Sequence, residues 1–157
     1  MTTTLFTAIQ QNQLVQVLEI LKRQPEIVNT TDARGFTPLI FATYFDRVDI
    51  SKILIDHNAV IDQRDGSGNT ALIGVAFKGN MTLAKLLIEN GANINATNNL
   101  GYTPLIFASL YNNIEMVQFL IDNQALKDIK DNEGKTALEY ARAKKFSEVI
   151  SILSRNE

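Results

Sequence analysis

The sequence has no cysteine, no tryptophan, one histidine and only three prolines among its 157 residues. Without thiols there is no disulfide framework, no zinc site of any cysteine type and no thiol nucleophile. With His57 as the sole imidazole, most histidine metal sites and most Ser-His hydrolases fall away on inventory alone. Long apolar runs are missing too. No stretch of about 18 apolar residues is available to span a bilayer. Met1-Thr2-Thr3-Thr4-Leu5-Phe6 carries no basic segment, so no leader is expected and the cytoplasm is the expected compartment. There is no excess of positive charge: the net charge is −2, which argues against a nucleic-acid-binding surface. Eight glycines without a short period exclude collagen-like and linker-like chains. What remains is 45% hydrophobic and 20% charged, the balance of a folded chain of one domain, two at most.

A single period organises the chain. Gly35, Gly68, Gly101 and Gly134 recur every 33 residues, followed in phase by Thr37, Thr70, Thr103 and Thr136 and by Leu39, Leu72, Leu105 and Leu138. Ala42, Ala76, Ala108 and Ala141 follow, the second displaced by one position. Each unit reads as two short helices and a loop. Thr37-Pro38 starts a helix, because threonine caps free amides and proline suits the first turn. Asp46-Arg47 is a polar turn. Val48, Ile50, Ile53, Leu54 and Ile55 then have helical apolar spacing. Asp62 to Gly68 is turn chemistry leading into the next unit. Helices this short cannot bury their own apolar faces, so neighbouring units must stack into one continuous core.

Residues 1–34 keep the order Leu5, Ala8, Leu14, Val17, Ile20 and Leu21 but fill the intervening positions with glutamine. In the last unit Glu139 stands where Ile40, Ile73 and Ile106 stand earlier, and Ser154 where Ile55, Ile88 and Ile121 do. Polar replacements of this kind suit capping units, so both caps are expected within the sequence.

Gly35-Phe36-Thr37-Pro38-Leu39 and Gly101-Tyr102-Thr103-Pro104-Leu105 resemble the ankyrin repeat motif G-x-T-P-L-H-x-A-A, and Asn90-Gly91-Ala92-Asn93-Ile94-Asn95-Ala96 resembles its closing segment. The resemblance covers residues 5–154. It implies an all-α ankyrin-repeat solenoid: about ten helices in helix-turn-helix units joined by β-hairpin-like loops. The expected organisation is a single domain, 1–157, divided as 1–34, 35–67, 68–100, 101–133 and 134–157. The implied function is non-catalytic protein binding, as an adaptor, scaffold or inhibitor. The partner is another protein, with no cofactor, metal, nucleic acid or membrane, and the chain is expected to be monomeric. The alternatives are a small-molecule-binding repeat protein or a regulatory subunit of an enzyme. The sequence departs from the motif where Ile40, Ile73 and Ile106 replace its histidine and where Ala71 and Ala137 replace its proline. Gly74 interrupts a first helix at a cost of about 1 kcal/mol relative to alanine.

By the same resemblance, partner-binding residues cluster around each repeat glycine and at the end of each first helix. These are Arg34, Phe36, Tyr44 and Phe45; Asn69, Phe77 and Lys78, with Ser67 beside them; Leu100, Tyr102, Leu110 and Tyr111; and Lys135 and Lys144, with Glu133. Six of the twelve Phe and Tyr residues fall in this set, and exposed rings are what protein interfaces favour. The competing reading is that some of these rings pack between units. Lys135, Arg142, Lys144, Lys145 and Arg155 give the last unit a positive balance that suits a solvated cap or an acidic partner. His57, where a second helix ends, suits a capping role. The recurrence of Asn29, Asp62, Asn95 and Asp128 indicates structure rather than chemistry, and Gly66-Ser67-Gly68 is too short and badly placed for a phosphate loop.

Overall fold

Among residues 2–156, which the computed structural model describes, ten α-helices form five consecutive pairs. They are α1 (Thr2–Gln10) with α2 (Leu14–Arg23), α3 (Pro38–Tyr44) with α4 (Val48–Asp56), and α5 (Ala71–Lys78) with α6 (Met81–Glu89). α7 (Pro104–Leu110) with α8 (Ile114–Asp122) and α9 (Ala137–Lys144) with α10 (Ser147–Leu153) complete the set. The odd-numbered helices pack one on the next in a single row, and each even-numbered helix packs on its own partner.

The four internal first helices start for one reason. Thr37, Thr70, Thr103 and Thr136 are extended, and each hydroxyl accepts the amide three residues on. Such a cap contributes about 1 kcal/mol. The proline missing before α5 and α9 does not prevent either helix. Burial then follows the period. Val17, Ile50, Leu83, Met116 and Val149 form one column through the stack and Leu21, Leu54, Leu87, Leu120 and Leu153 another, all at most 1% exposed. Truncating any of these leucines to alanine removes about 2–5 kcal/mol.

The turn inside each pair passes through one left-handed residue: Asn12, Asp46, Gly79, Asn112 and Lys145, with φ between 55° and 80°. Between pairs, the loop is folded by a single side chain. Oδ1 of Asp32, Asp65, Asn98 and Asp131 accepts the amides two and four residues on. The loops are hydrogen-bonded turns, and no β-strand occurs among the described residues. One main-chain bond joins each loop to the next, as from Asn99 N–H to the Ser67 carbonyl at 3.0 Å. That contact accounts for the repeat glycine: Gly68 has φ +79°, and a Cβ there would lie 2.8 Å from the Asn99 nitrogen.

The recurring Asn29, Asp62 and Asn95 are structural as expected. Each accepts the amide of Val60, Asn93 or Leu126 from the following repeat. His57 caps α4, with Nδ1 donating to the Ile53 carbonyl at 2.7 Å. The sequence did not announce the 3-10 helix Pro25–Asn29, which Pro25 initiates after α2. Met1 and Glu157 lie outside the described residues.

Candidate functional site

The first helices and loop tips share one face of the stack. Tyr44, Phe77, Leu100 and Tyr111 expose 51%, 47%, 58% and 56% of their surface there. Arg34, Lys78, Lys135 and Lys144 are also exposed, and Asn69 and Leu110 are half-buried. Three of the nominated rings are half-buried and pack on the core: Phe36, Phe45 and Tyr102. Phe45 lies 4.9 Å from Phe41 and 5.1 Å from Tyr44, centroid to centroid. Tyr102 meets Phe107 edge-on at 5.1 Å. Phe77 does both things at once, staying exposed while its ring meets Phe107 at 5.8 Å and Tyr111 at 4.8 Å in the next pair.

A groove of about 520 Å³ opens on this face between α3, α5 and α7. Five nominated residues from the second and third units line it, exposed or half-buried: Phe36, Tyr44, Asn69, Phe77 and Lys78. Ile40, Asp65, Gly74 and Phe107 line it too and were missed in the sequence. Leu100, Tyr102, Leu110, Tyr111, Lys135 and Lys144 lie outside it. A depression of about 570 Å³ on the second-helix side, between α6, α8 and α10, is more open and more polar.

The charges on the groove side are mostly paired. Lys78 Nζ lies 2.9 Å from Asp46 Oδ2 and 5.4 Å from the Tyr44 centroid, and it also donates to the Tyr44 carbonyl. Asn80 donates to the other oxygen of Asp46 at 2.9 Å. Burial alone would raise Asp46, but Asn80 and Lys78 outweigh it and hold the carboxyl below its ordinary range. Arg34 stacks on Phe36 at 4.2 Å and pairs with Asp32 at 2.8 Å. In the last pair the Tyr140 hydroxyl donates to Asp131 Oδ2. Burial, then this carboxylate, push the Tyr140 phenol well above its ordinary value. Among the described residues no group of three or more His, Asp or Glu is placed to hold a metal ion.

Models of ankyrin repeats match the chain twice, a three-copy model over residues 5–98 and a many-copy model over residues 87–141. The chain belongs to the ankyrin repeat family. The fold implied by its Gly-x-Thr-Pro-Leu motifs is therefore the fold it has. A curated relative, Ankyrin repeat domain-containing protein 49 of Drosophila melanogaster, is 40% identical over 52 residues, which is 33% of this chain and 24% of that protein. The chain thus aligns with about a quarter of that relative's length. Ankyrin repeats are generally protein-interaction modules and typically not catalytic. No helix among the described residues is long and apolar enough to cross a membrane.

Proposed function

We propose that this ankyrin repeat chain is a non-catalytic interaction module, an adaptor, scaffold or inhibitor, that holds a partner protein against its first helices and loop tips. The reading rests on the exposed rings of Tyr44, Phe77 and Tyr111 beside an apolar groove on that face. Clustered exposed aromatics are characteristic of interface hot spots. Residues 1–157 act as one domain of five units, 1–34, 35–67, 68–100, 101–133 and 134–157, monomeric and cytoplasmic, without cofactor, nucleic acid or membrane as partner. A groove open along one side suits a protein surface better than an enclosed small molecule.

Crosslinking the protein to its partner in cells and repeating the capture with Tyr44→Ala/Tyr111→Ala tests this reading. Both rings are exposed, so the thermal midpoint should stay put while capture is lost. Tyr102 is less suitable for substitution because it supports Phe107. Undiminished capture by the double variant would sink the placement.

A further inference from the structure

The first helices carry a ring at one recurring position. Phe41, Phe107 and Tyr140 occupy it at multiples of the 33-residue period, while the capping first unit has Ala8 there and the third unit has Gly74, with no side chain at all. In the last pair the position is a finished site. Tyr140 donates its hydroxyl to Asp131 Oδ2, meets Tyr102 edge-on at 6.0 Å and lies 5.5 Å below Lys135 Nζ. Two repeats earlier, the counterparts of Tyr102, Asp131 and Lys135 are Phe36, Asp65 and Asn69. All three line the groove beside Gly74. The walls of a ring site are therefore in place around a position that has no side chain.

The space and the hydrogen-bonding capacity are both open. Nothing lies within 4 Å of a Cβ built on Gly74. Asp65 uses Oδ1 for the Ser67 and Asn69 amides, and among the described residues its Oδ2 accepts no bond. In the other three loops the corresponding atom is engaged: Asp32 Oδ2 with Arg34, Asn98 Nδ2 with Asn69, and Asp131 Oδ2 with Tyr140. Of the two charged residues lining the groove, Lys78 is already paired with Asp46, which leaves the Asp65 carboxylate as the uncompensated charge. An apolar slot ending in an open carboxylate is complementary to a neutral ring that carries a hydrogen-bond donor, and it repels an anionic one.

We propose that the Gly74 groove receives one tyrosine side chain of the partner protein, the ring entering where Tyr140 sits in the last pair and the hydroxyl donating to Asp65. This rests on the binding face put forward above and names what that face recognises. Tyr44 and Phe77 at the rim supply further apolar contact for the segment that carries the tyrosine. A phosphorylated tyrosine is excluded by the same carboxylate.

The test is titration of the full chain with N-acetyl-L-tyrosinamide and with N-acetyl-L-phenylalaninamide, followed by amide chemical shifts. Saturable shifts should centre on Gly74 and Phe77, with the tyrosine probe binding more tightly by about tenfold or more, as expected for one hydrogen bond to a carboxylate. Asp65→Asn, which keeps the loop bonds that Asn98 makes in its own loop, should erase that preference. Gly74→Tyr should abolish binding of both probes and melt higher than Gly74→Phe, because its own ring then closes the groove and bonds Asp65. Equal affinities, shifts centred elsewhere, or a preference that survives Asp65→Asn would overturn the proposal. The two readings fail differently. Partner capture lost in Tyr44→Ala/Tyr111→Ala but kept in Gly74→Tyr removes the tyrosine receptor and leaves the binding face. Capture kept in both removes the face as well.

Discussion

The α5/α6 and α9/α10 pairs begin from the same backbone. Thr70 and Thr136 cap their first helices, and Asp65 and Asp131 fold the preceding loops through the same two amides. Among the side chains that differ, the one over the loop carboxylate is Gly74 in the third pair and Tyr140 in the last. In the last pair the ring covers Asp131 and the surface is closed. In the third the same place is a groove. A repeat scaffold can therefore acquire a concavity by leaving out a side chain, with no change in its backbone, because each neighbour still supplies its own wall.

The sharpest way to break this comparison is to open the closed end. Tyr140→Gly should lower stability by about 3 kcal/mol in urea unfolding, through the lost ring and a glycine in a helix. A cost below about 1 kcal/mol would mean that the ring contributes little there. Next comes pH. Burial alone would raise Asp131, but the Tyr140 hydroxyl and the Lys135 and Glu133 amides outweigh it and hold the carboxyl below its ordinary 3.8. A carboxyl lowered by folding stabilises the native state above its unfolded value and loses that contribution as pH falls toward the folded one. Unfolding midpoints should thus decline below about pH 4, and Asp131→Asn should make the decline shallower. An unchanged slope would remove Asp131 as a cause.

Smaller effects probe the open pair. Gly74→Ala should stabilise by about 1 kcal/mol, since the position is helical, exposed and roomy. A lower thermal midpoint would contradict the vacancy itself. Lys145→Gly should stabilise by about 0.5 kcal/mol, because Lys145 holds φ +60° where the third pair has Gly79. The reverse change, Gly79→Lys, should destabilise, for a Cβ there would lie 2.2 Å from the Asn113 side-chain nitrogen.

Much of this was legible in the residues. The 33-residue recurrence of glycine, threonine and leucine carries the stack, because each has a fixed mechanical duty: a left-handed loop position, a cap and a buried column. The polar recurrence at Asn29, Asp62 and Asn95 was readable for the same reason. The groove was not. Gly74 reads in sequence as a poor helix residue, and only the direction of its Cα shows that the missing side chain would have filled a surface slot. Phe107 reads as core, yet its edge forms a groove wall. Asp65 is indistinguishable by type from Asp131, and what separates them is a hydroxyl nine residues on in one unit and not in the other. The 3-10 turn at Pro25–Asn29 escaped because the first repeat keeps the apolar order without the Gly-x-Thr-Pro signature.

The loop row has a mechanical consequence. Consecutive loops are joined by one main-chain bond, such as Asn99 N–H to Ser67 O and Asn132 N–H to Leu100 O, and side-chain bonds such as Asn93 N–H to Asp62 and Asn80 to Asp46 join adjacent repeats beside the packed first helices. Tension applied along the stack is therefore borne in series by junctions that each join only adjacent repeats. The molecule should extend under load as a soft spring and then yield in steps, each step releasing one repeat of 33 residues, about 110 Å of contour.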